Sequence, residues 1–227
     1  MTTTSELLIV GAGGFARETA QAVAAINAVR PTWRLHGFLD DDPLLHGRRV
    51  DGLPVIGGTD LVYSLPNARV VVCVGNPRNY LTRARIVERL DLPADRYATV
   101  LHPSADISGD SVIGPGSVLL AQAVLTAAAT VGAHVAVMPH AVLTHDVTVD
   151  DFATIASGVR FGGGVRVQRG AYLGSGALIR EQVKIGAWSQ VGMGSVVLQD
   201  IPDGQVWVGN PARKLRDIAV EIPERLA

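Results

Sequence analysis

Cysteine is almost absent from this chain of 227 residues, and several other features are missing as well. Cys73 is the single cysteine, so no disulfide can form within one chain. It lies in the apolar run of residues 70–74, which predicts a buried, unreactive strand residue. No uncharged run reaches the roughly 18 apolar residues of a membrane span. Residues 1–6 lack the basic segment of a signal peptide, so we expect a cytoplasmic protein.

An excess of either charge is also missing. The chain carries 20 lysines and arginines against 21 aspartates and glutamates, a formal net charge of −1. A nucleic-acid or anionic-membrane surface requires a cluster of basic residues, which this sequence does not contain. The expected partners are therefore a small molecule and further copies of the chain.

The first hundred residues alternate apolar runs with helix-like segments. Runs at three places predict strands and two amphipathic segments predict helices: strands at residues 7–10, 35–39 and 69–74, and helices ending near residue 27 and spanning residues 78–90. This alternation predicts a Rossmann-like parallel α/β domain over residues 1–100, with ligands bound at the carboxyl ends of its strands.

After residue 101 the helical pattern gives way to a period of six residues. Every sixth position is apolar, which chance would produce with a probability of roughly 10⁻⁵ at this composition. The 16 positions are Ile107, Ile113, Leu119, Leu125, Val131, Val137, Leu143, Val149, Ile155, Phe161, Val167, Leu173, Ile179, Ile185, Val191 and Val197.

The position two residues before each of these is never larger than valine. One aliphatic and one small residue in every six predict a parallel β-helix, in which three short strands make one coil. The flat outer faces of such a prism are suited to self-association. The handedness of the coil does not follow from the pattern.

Short motifs along the whole chain carry a resemblance to a known family. They are the turn Gly11-Ala12-Gly13-Gly14, the segments Phe38-Leu39-Asp40-Asp41, Val74-Gly75-Asn76 and His102-Pro103-Ser104-Ala105, the pair His145-Asp146, and the closing Val208-Gly209-Asn210-Pro211-Ala212-Arg213. In this order and spacing they resemble the PglD/NeuD-type sugar O- and N-acetyltransferases, a branch of the hexapeptide-repeat acyltransferases.

The resemblance implies a left-handed β-helix over residues 101–227 with a short C-terminal tail. It also implies a homotrimer that binds acetyl-CoA in clefts between neighbouring prisms, and a nucleotide-linked sugar held partly by the N-terminal domain. The implied acetyl-CoA contacts are Thr154, Gly163, Ser175 and Met193. The implied sugar-nucleotide contacts are Gly13, Gly14, Phe15, Asp40, Asp41 and Gly75.

His145 and Asp146 are the predicted catalytic pair. Amide formation from a thioester needs a neutral amine, and imidazole, with an ordinary pKa of about 6.5, suits the removal of its proton. Asp146 could hydrogen-bond the far ring nitrogen and fix the tautomer. The other interpretation of the pair is a solvated turn. Gly163 stacks one coil beyond His145, where a glycine either leaves room for a pantetheine arm or simply suits a tight corner.

The glycine turn followed by Asp40 is also typical of dinucleotide binding. A nicotinamide cofactor would require a domain for hydride chemistry, which the β-helix does not offer. The same turn can hold a sugar nucleotide through backbone N–H groups, with an acid accepting from ribose or base. The other interpretation of Asp41 and Asp42 is a pair of solvated loop acids before Pro43.

The predicted function is acetyl-CoA-dependent N-acetylation of a nucleotide-linked amino-deoxy sugar by direct transfer, with no metal. O-acetylation of a sialic-acid-type sugar is the near alternative. From other classes, a zinc hydratase of the carbonic-anhydrase type using His102, His140 and His145 and a non-catalytic sugar-nucleotide-binding scaffold stay open.

Overall fold

The structure is a computed structural model that describes residues 4–76 and 79–218. The chain divides into two compact units, Met1–Pro103 and Ser104–Ala227. Residue 78, where the second helix is predicted to begin, and residues 219–227 of the predicted tail lie outside the described residues. No described helix combines the length and the apolar character that a bilayer crossing requires.

The first unit contains a five-stranded sheet with the strand order β3-β4-β2-β1-β5. All neighbours are parallel except β3 and β4, which are antiparallel. The elements are β1 (Ser5–Val10), α1 (Gly14–Val29), β2 (Trp33–Leu39), β3 (Arg49–Val50), β4 (Leu53–Gly57), β5 (Arg69–Val72), α2 (Thr82–Leu90) and β6 (Val100–Leu101), with 3-10 helices at Pro43–Leu45, Thr59–Tyr63 and Ala94–Arg96.

The apolar runs form the strands because their side chains are buried within this unit. Leu8, Val10 and Val70 are fully buried in the sheet. Helix α1 buries Ala16, Ala20 and Val23, and this spacing of four and three residues places them on one helical face. The predicted Rossmann-like fold of the first unit is confirmed.

Two details of the first unit differ from the prediction. The predicted strands do not include β3, β4 and β6, and in β4 the residues Pro54 and Gly57 interrupt the apolar pattern. The second helix begins at Thr82, four residues later than predicted. Residues 79–81 form a turn closed by a hydrogen bond from the Thr82 N–H to the Asn79 carbonyl.

The second unit is a parallel β-helix with three faces. Face 1 contains β7 (Asp106–Ile107), β10 (Val124–Leu125), β13 (Val142–Leu143), β16 (Arg160–Phe161), β19 (Leu178–Ile179) and β22 (Val196–Val197). Face 2 contains β8 (Val112–Ile113), β11 (Thr130–Val131), β14 (Thr148–Val149), β17 (Arg166–Val167) and β20 (Lys184–Ile185). Face 3 contains β9 (Val118–Leu119), β12 (Ala136–Val137), β15 (Thr154–Ile155), β18 (Tyr172–Leu173), β21 (Gln190–Val191), β23 (Gln205–Gly209) and β24 (Ala212–Asp217).

Each strand pairs with the strand one coil away, so that Leu125, Leu143 and Phe161 stack directly on one another. The predicted inward positions from Leu119 to Val197 are buried, whereas Ile107 and Ile113 in the first coil are only partly covered. The period therefore identified the core correctly. Beyond it, β23 and β24 form an antiparallel hairpin, which the prediction of a short tail did not include.

The corners of the prism require a left-handed backbone. The second residue of most turns has a positive φ, as in Gly164 at +67° and Asp146 at +61°. This conformation costs a residue with a Cβ atom roughly 1–2 kcal/mol, and glycine, asparagine and aspartate tolerate it best. The corners therefore account for many of the 25 glycines in the chain.

Replacing Leu143 by alanine tests the stacked core. The side chain is fully buried between the equivalent residues of the adjacent coils. We expect Leu143→Ala to lower the free energy of unfolding by about 2–5 kcal/mol because it leaves a cavity. Denaturant titration gives this value. The matched control, Leu215→Ala, removes a side chain that is largely exposed and should change stability by less than about 0.5 kcal/mol.

Candidate active site

His145 and Asp146 lie at the corner that follows β13, between face 1 and face 2. The corner is called corner 1–2 and includes Ala127, Gly163 and Gln182 in neighbouring coils. The backbone of the pair is fixed by rung hydrogen bonds: the Asp146 N–H donates to the Ala127 carbonyl, and the Gly164 N–H donates to the His145 carbonyl. Both side chains project outward and are 64% and 68% exposed.

The two side chains are hydrogen-bonded to each other. His145 Nδ1 lies 2.8 Å from Asp146 Oδ2. A carboxylate can only accept, so this contact places the ring proton on Nδ1 and leaves the lone pair on Nε2. The positive φ of Asp146 is part of this arrangement, since it belongs to the tight turn that brings adjacent side chains together. The predicted contact between the two residues is present.

Gly163 holds the imidazole in place from the next coil. A Cβ atom added to Gly163 would lie 2.3 Å from both Cε1 and Nε2 of His145. The ring therefore lies across this glycine. The space that was one interpretation of Gly163, room for a pantetheine arm, is occupied by the histidine ring itself.

His134 occupies a different corner and has a different environment. It is buried and its ring stacks on Phe152 with centroids 5.1 Å apart, while the Arg169 guanidinium lies 4.8 Å from the Phe152 ring centre. This corner, between face 2 and face 3, is filled by rings that serve packing. His145, by contrast, is exposed.

His140 lies at the third corner, between face 3 and face 1, which is called corner 3–1. His140 and His145 are thus at separate corners of the prism. Among residues 4–76 and 79–218, no three histidine, cysteine, aspartate or glutamate side chains are grouped as metal ligands would be.

The four residues predicted to contact acetyl-CoA are distributed over three places. Gly163 lies against His145, as described above. Ser175 and Met193 are one coil apart at corner 3–1, where the Gly194 N–H donates to the Ser175 carbonyl, and Met193 is 80% exposed. Thr154 lies on face 3. A single chain therefore brings only Gly163 together with His145.

The glycine turn of the first unit follows β1. Gly11 has a φ of +100°, and a Cβ atom there would lie 3.0 Å from the Cys73 carbonyl oxygen. Asp40 supports this turn: one carboxylate oxygen accepts from the Ala12 N–H at 2.9 Å and the other from the Asp42 N–H at 3.0 Å. Asp40 thus holds the turn, whatever further contact it makes.

Asp41 is held by two residues that the sequence did not indicate. Its carboxylate accepts from the Thr59 N–H and hydroxyl at 2.9 and 2.7 Å and from Arg89 at 2.6 Å. Partial burial raises the pKa of Asp41, but the hydrogen bonds from Thr59 and Arg89 outweigh it and hold the pKa below its ordinary value. Asp41 is therefore not simply a solvated loop acid.

A cavity of about 320 Å³ lies on face 1, and a second of about 220 Å³ lies in the first unit. Gly11, Asp40, Asp41 and Thr59 line the second one. Among the predicted contacts, Gly13, Gly14, Phe15 and Gly75 do not line it. Gly13, Gly14 and Phe15 form the start of α1 and Gly75 lies on the loop after β5, where a Cβ on Gly75 would be 3.6 Å from Phe15. Gly13 caps α1 without a side-chain hydrogen bond, so backbone N–H groups at this helix start are available to a ligand.

Cys73 is buried, as predicted. Its thiol donates a hydrogen bond to Thr19, and burial raises its pKa to about 12. Close by, Arg83 is buried and donates to the Val74 carbonyl at 3.4 Å, and burial lowers the pKa of Arg83 to about 10. The sequence pattern did not indicate this buried arginine.

Replacing Asp41 by asparagine tests its pairing. The folded-state pKa of Asp41 lies below the unfolded value of about 3.9, so its contribution to stability is present above that pH and is lost as the pH falls through the folded-state value. Because the contact is about half exposed, we expect Asp41→Asn to cost roughly 1 kcal/mol at pH 7. Denaturant titrations at pH 7 and pH 3 should show the difference from wild type shrinking at the lower pH. Asp60→Asn, which removes an exposed acid from the same segment, should have no effect at either pH.

Replacing Gly163 by alanine tests whether this glycine positions the imidazole of His145. The backbone of Gly163 is not in the positive-φ region, so alanine is acceptable there, but its methyl group would overlap the ring of His145. We expect the ring to move and the Nδ1 contact with Asp146 to be lost, while the fold persists. The ring resonances of His145 in NMR spectra measure this change. Gly109→Ala, at the same corner with open space around its Cβ, should leave them unchanged.

Comparisons with known proteins agree with this geometry. The family model described as the PglD N-terminal domain matches residues 6–90. The acetyltransferase domain of PglB from Neisseria gonorrhoeae FA1090, solved with acetyl coenzyme A, is 32% identical over 94% of this chain and 100% of that one, with a TM-score of 0.82. A mutant of perosamine N-acetyltransferase from Caulobacter crescentus, solved with CoA and GDP-perosamine, is 26% identical over 95% of this chain and 99% of that one, with a TM-score of 0.83.

A curated relative is UDP-N-acetylbacillosamine N-acetyltransferase from Bacillus subtilis (strain 168). It is 36% identical over 115 residues, which are 50% of this chain and 50% of that protein, so the match spans about half the length of the relative. The solved structures also confirm the handedness, a left-handed parallel β-helix that follows a Rossmann-like domain. The chain belongs to the PglD-type family of acetyltransferases.

Proposed function

We propose that this chain is an acetyl-CoA-dependent N-acetyltransferase that acts on an amino-deoxy sugar linked to a nucleoside diphosphate. The observation that carries the proposal is the exposed His145–Asp146 pair, in which the contact of Nδ1 with Asp146 leaves Nε2 as the ring nitrogen with a lone pair. The solved relatives support the substrate class, since one holds acetyl coenzyme A and another holds CoA with GDP-perosamine.

In the proposed reaction His145 acts as the general base. As the sugar amine attacks the carbonyl carbon of the thioester, Nε2 takes a proton from the amine nitrogen. The C–N bond forms, the C–S bond breaks, and the proton passes to the departing thiolate. A backbone N–H near the corner stabilises the oxyanion. Asp146 keeps the proton on Nδ1 and stabilises the charged ring. Cys73, the single cysteine of the chain, is buried in the first unit, and the proposed transfer is direct, without an acyl-enzyme intermediate.

The first unit is proposed to hold the nucleotide. Helix α1 has no acidic residue in its first turn and no side-chain cap, so its N–H groups and its dipole favour a diphosphate beside Gly13 and Gly14. The cavity lined by Asp40, Asp41 and Thr59 is of a size and polarity that suit a ribose or base. Phe15 lies in the first turn of α1, next to Gly75 on the loop after β5.

We further propose that the active form is a homotrimer. His145 with Gly163 and Ser175 with Met193 lie at different corners of one prism, and Thr154 lies on a face. Acetyl-CoA contacts all of them only if a second copy places its own corner beside corner 1–2. A cytoplasmic location stays a prediction.

The decisive experiment combines a substrate panel with the substitution of His145. Wild-type protein is incubated with acetyl-CoA and UDP-, GDP- and dTDP-linked amino sugars and their hydroxyl counterparts, and products are identified by mass spectrometry. We expect an N-acetyl product from at least one amino sugar, and His145→Ala to lower kcat/KM about 100- to 10,000-fold. Asp146→Asn should cost about tenfold, in line with the loss of a charge-assisted hydrogen bond.

His140→Ala is the matched control and should keep wild-type kinetics. Absence of transfer from every amino sugar would refute the enzyme proposal, and acetylation of hydroxyl groups alone would replace it with O-acetylation. If His145→Ala retains near wild-type rates, another group is the base.

A further inference from the structure

The side chains at the cavity of the first unit present hydrogen-bond acceptors to it. The cavity has a volume of about 220 Å³, and its described polar side chains are Asp40, Asp41, Thr59 and Thr82. Ionised carboxylates can only accept. The Thr59 hydroxyl donates its proton to Asp41 Oδ1 at 2.7 Å, and the Thr82 hydroxyl donates to the Asn79 carbonyl at 2.9 Å. These four side chains therefore have only lone pairs left for a ligand.

Arg89 sets the direction of these hydrogen bonds from behind the cavity wall. It lies in the last turn of α2, on the helical face that also carries the cavity-lining residues Thr82 and Ile86. One Arg89 nitrogen lies 2.6 Å from Asp41 Oδ2 and 2.7 Å from Thr59 Oγ1. Because a guanidinium can only donate, the hydroxyl proton of Thr59 points to Asp41 and not to Arg89.

The remaining lone pairs define what the cavity can bind. Asp41 Oδ1 already accepts twice from Thr59, and Oδ2 accepts from Arg89, so one position on Oδ2 stays open. Each oxygen of Asp40 accepts one backbone N–H and keeps one position. A ligand group that fits this wall presents N–H or O–H donors. In a nucleotide-linked sugar the nucleoside supplies them through its base and its ribose, whereas a diphosphate supplies acceptors.

We propose that Arg89 is a positioning residue for the nucleotide, which fixes Asp41 and Thr59 so that the cavity binds the nucleoside through its N–H or O–H groups. The inference rests on the proposed function and adds to it a residue that lies outside the cavity wall. Without Arg89 the Thr59 hydroxyl is free to turn into the cavity, and the Asp41 carboxylate loses one of its partners. Fixing both groups before binding lowers the entropy that binding costs.

The test measures the Kd values of UDP, GDP and dTDP for the full-length protein by calorimetry. We expect Arg89→Gln to raise the Kd of the most tightly bound nucleotide about tenfold. Asp41→Asn should raise it by a similar factor. The double variant should bind no more weakly than either single variant, because Arg89 acts through Asp41. Arg89→Lys, which keeps the charge, should stay within about threefold of wild type.

Arg85→Gln is the matched control, since it removes an exposed arginine from the same helix one turn earlier. It should leave the Kd unchanged. The Arg89 side chain is 52% exposed, so Arg89→Gln should fold and bind one nucleotide per chain. In acetyl transfer it should raise the KM for the nucleotide-linked sugar and leave kcat and the KM for acetyl-CoA within about twofold. A purely structural role would instead lower kcat and the calorimetric stoichiometry.

Nucleotides that lack one donor identify the group that meets the wall. The 2′-deoxy forms of UDP and GDP lack a ribose hydroxyl, and base-N-methylated UDP, GDP and dTDP lack a base N–H. We expect one of these two changes to weaken binding to wild type about tenfold and to have a much smaller effect on Arg89→Gln.

Three results would overturn the inference: an unchanged Kd in Arg89→Gln, additive losses in the double variant, or full affinity of wild type for every modified nucleotide. Wild-type protein that binds none of UDP, GDP and dTDP would instead refute the nucleotide site of the proposed function.

Discussion

The rung hydrogen bonds of the β-helix are the constraint on which the rest of this protein depends. Backbone N–H and carbonyl groups of each coil pair with those of the coils before and after it, so that residues 18 apart, such as Leu125 and Leu143, lie directly above one another. Strict stacking gives most corners the same conformation. The His145–Asp146 contact is a consequence, because the tight turn with a left-handed second residue brings the adjacent ring and carboxylate within 2.8 Å.

The same corner geometry serves two opposite purposes in the prism. Between faces 2 and 3, His134 and Phe152 stack ring on ring and Trp188 is buried, so the column adds to the core. At corner 1–2 the neighbours of His145 are Ala127 and Gly163, and the imidazole stays exposed on a glycine seat. A glycine lies against each ring, Gly116 at His134 and Gly163 at His145, and the Phe152 ring in the next coil stacks on His134.

Asp40 and Asp41 are held in position by other residues of the first unit, at the carboxyl ends of its parallel strands. Asp40 holds the glycine turn through the Ala12 N–H, and Asp41 is fixed by Thr59 and Arg89. Both carboxylates still line the cavity at the ends of the strands. Rigid positioning of this kind lowers the entropy that binding would otherwise cost. The arrangement is compatible with direct contact to a nucleotide and does not require it.

The sequence by itself determined the division of the chain into an α/β part and a part with a six-residue period. It also determined the strands β1, β2 and β5, the inward positions of the coil and the His145–Asp146 contact. These depend on neighbours in sequence or on a fixed period, so the local pattern contains them. Only the tertiary structure decided the pairing of Asp41 with Arg89, the strand β4 interrupted by Pro54 and the seat of the imidazole on Gly163. Each of these joins residues separated by irregular loops or by a full coil, and no rule of spacing states which side chains meet there or how they turn.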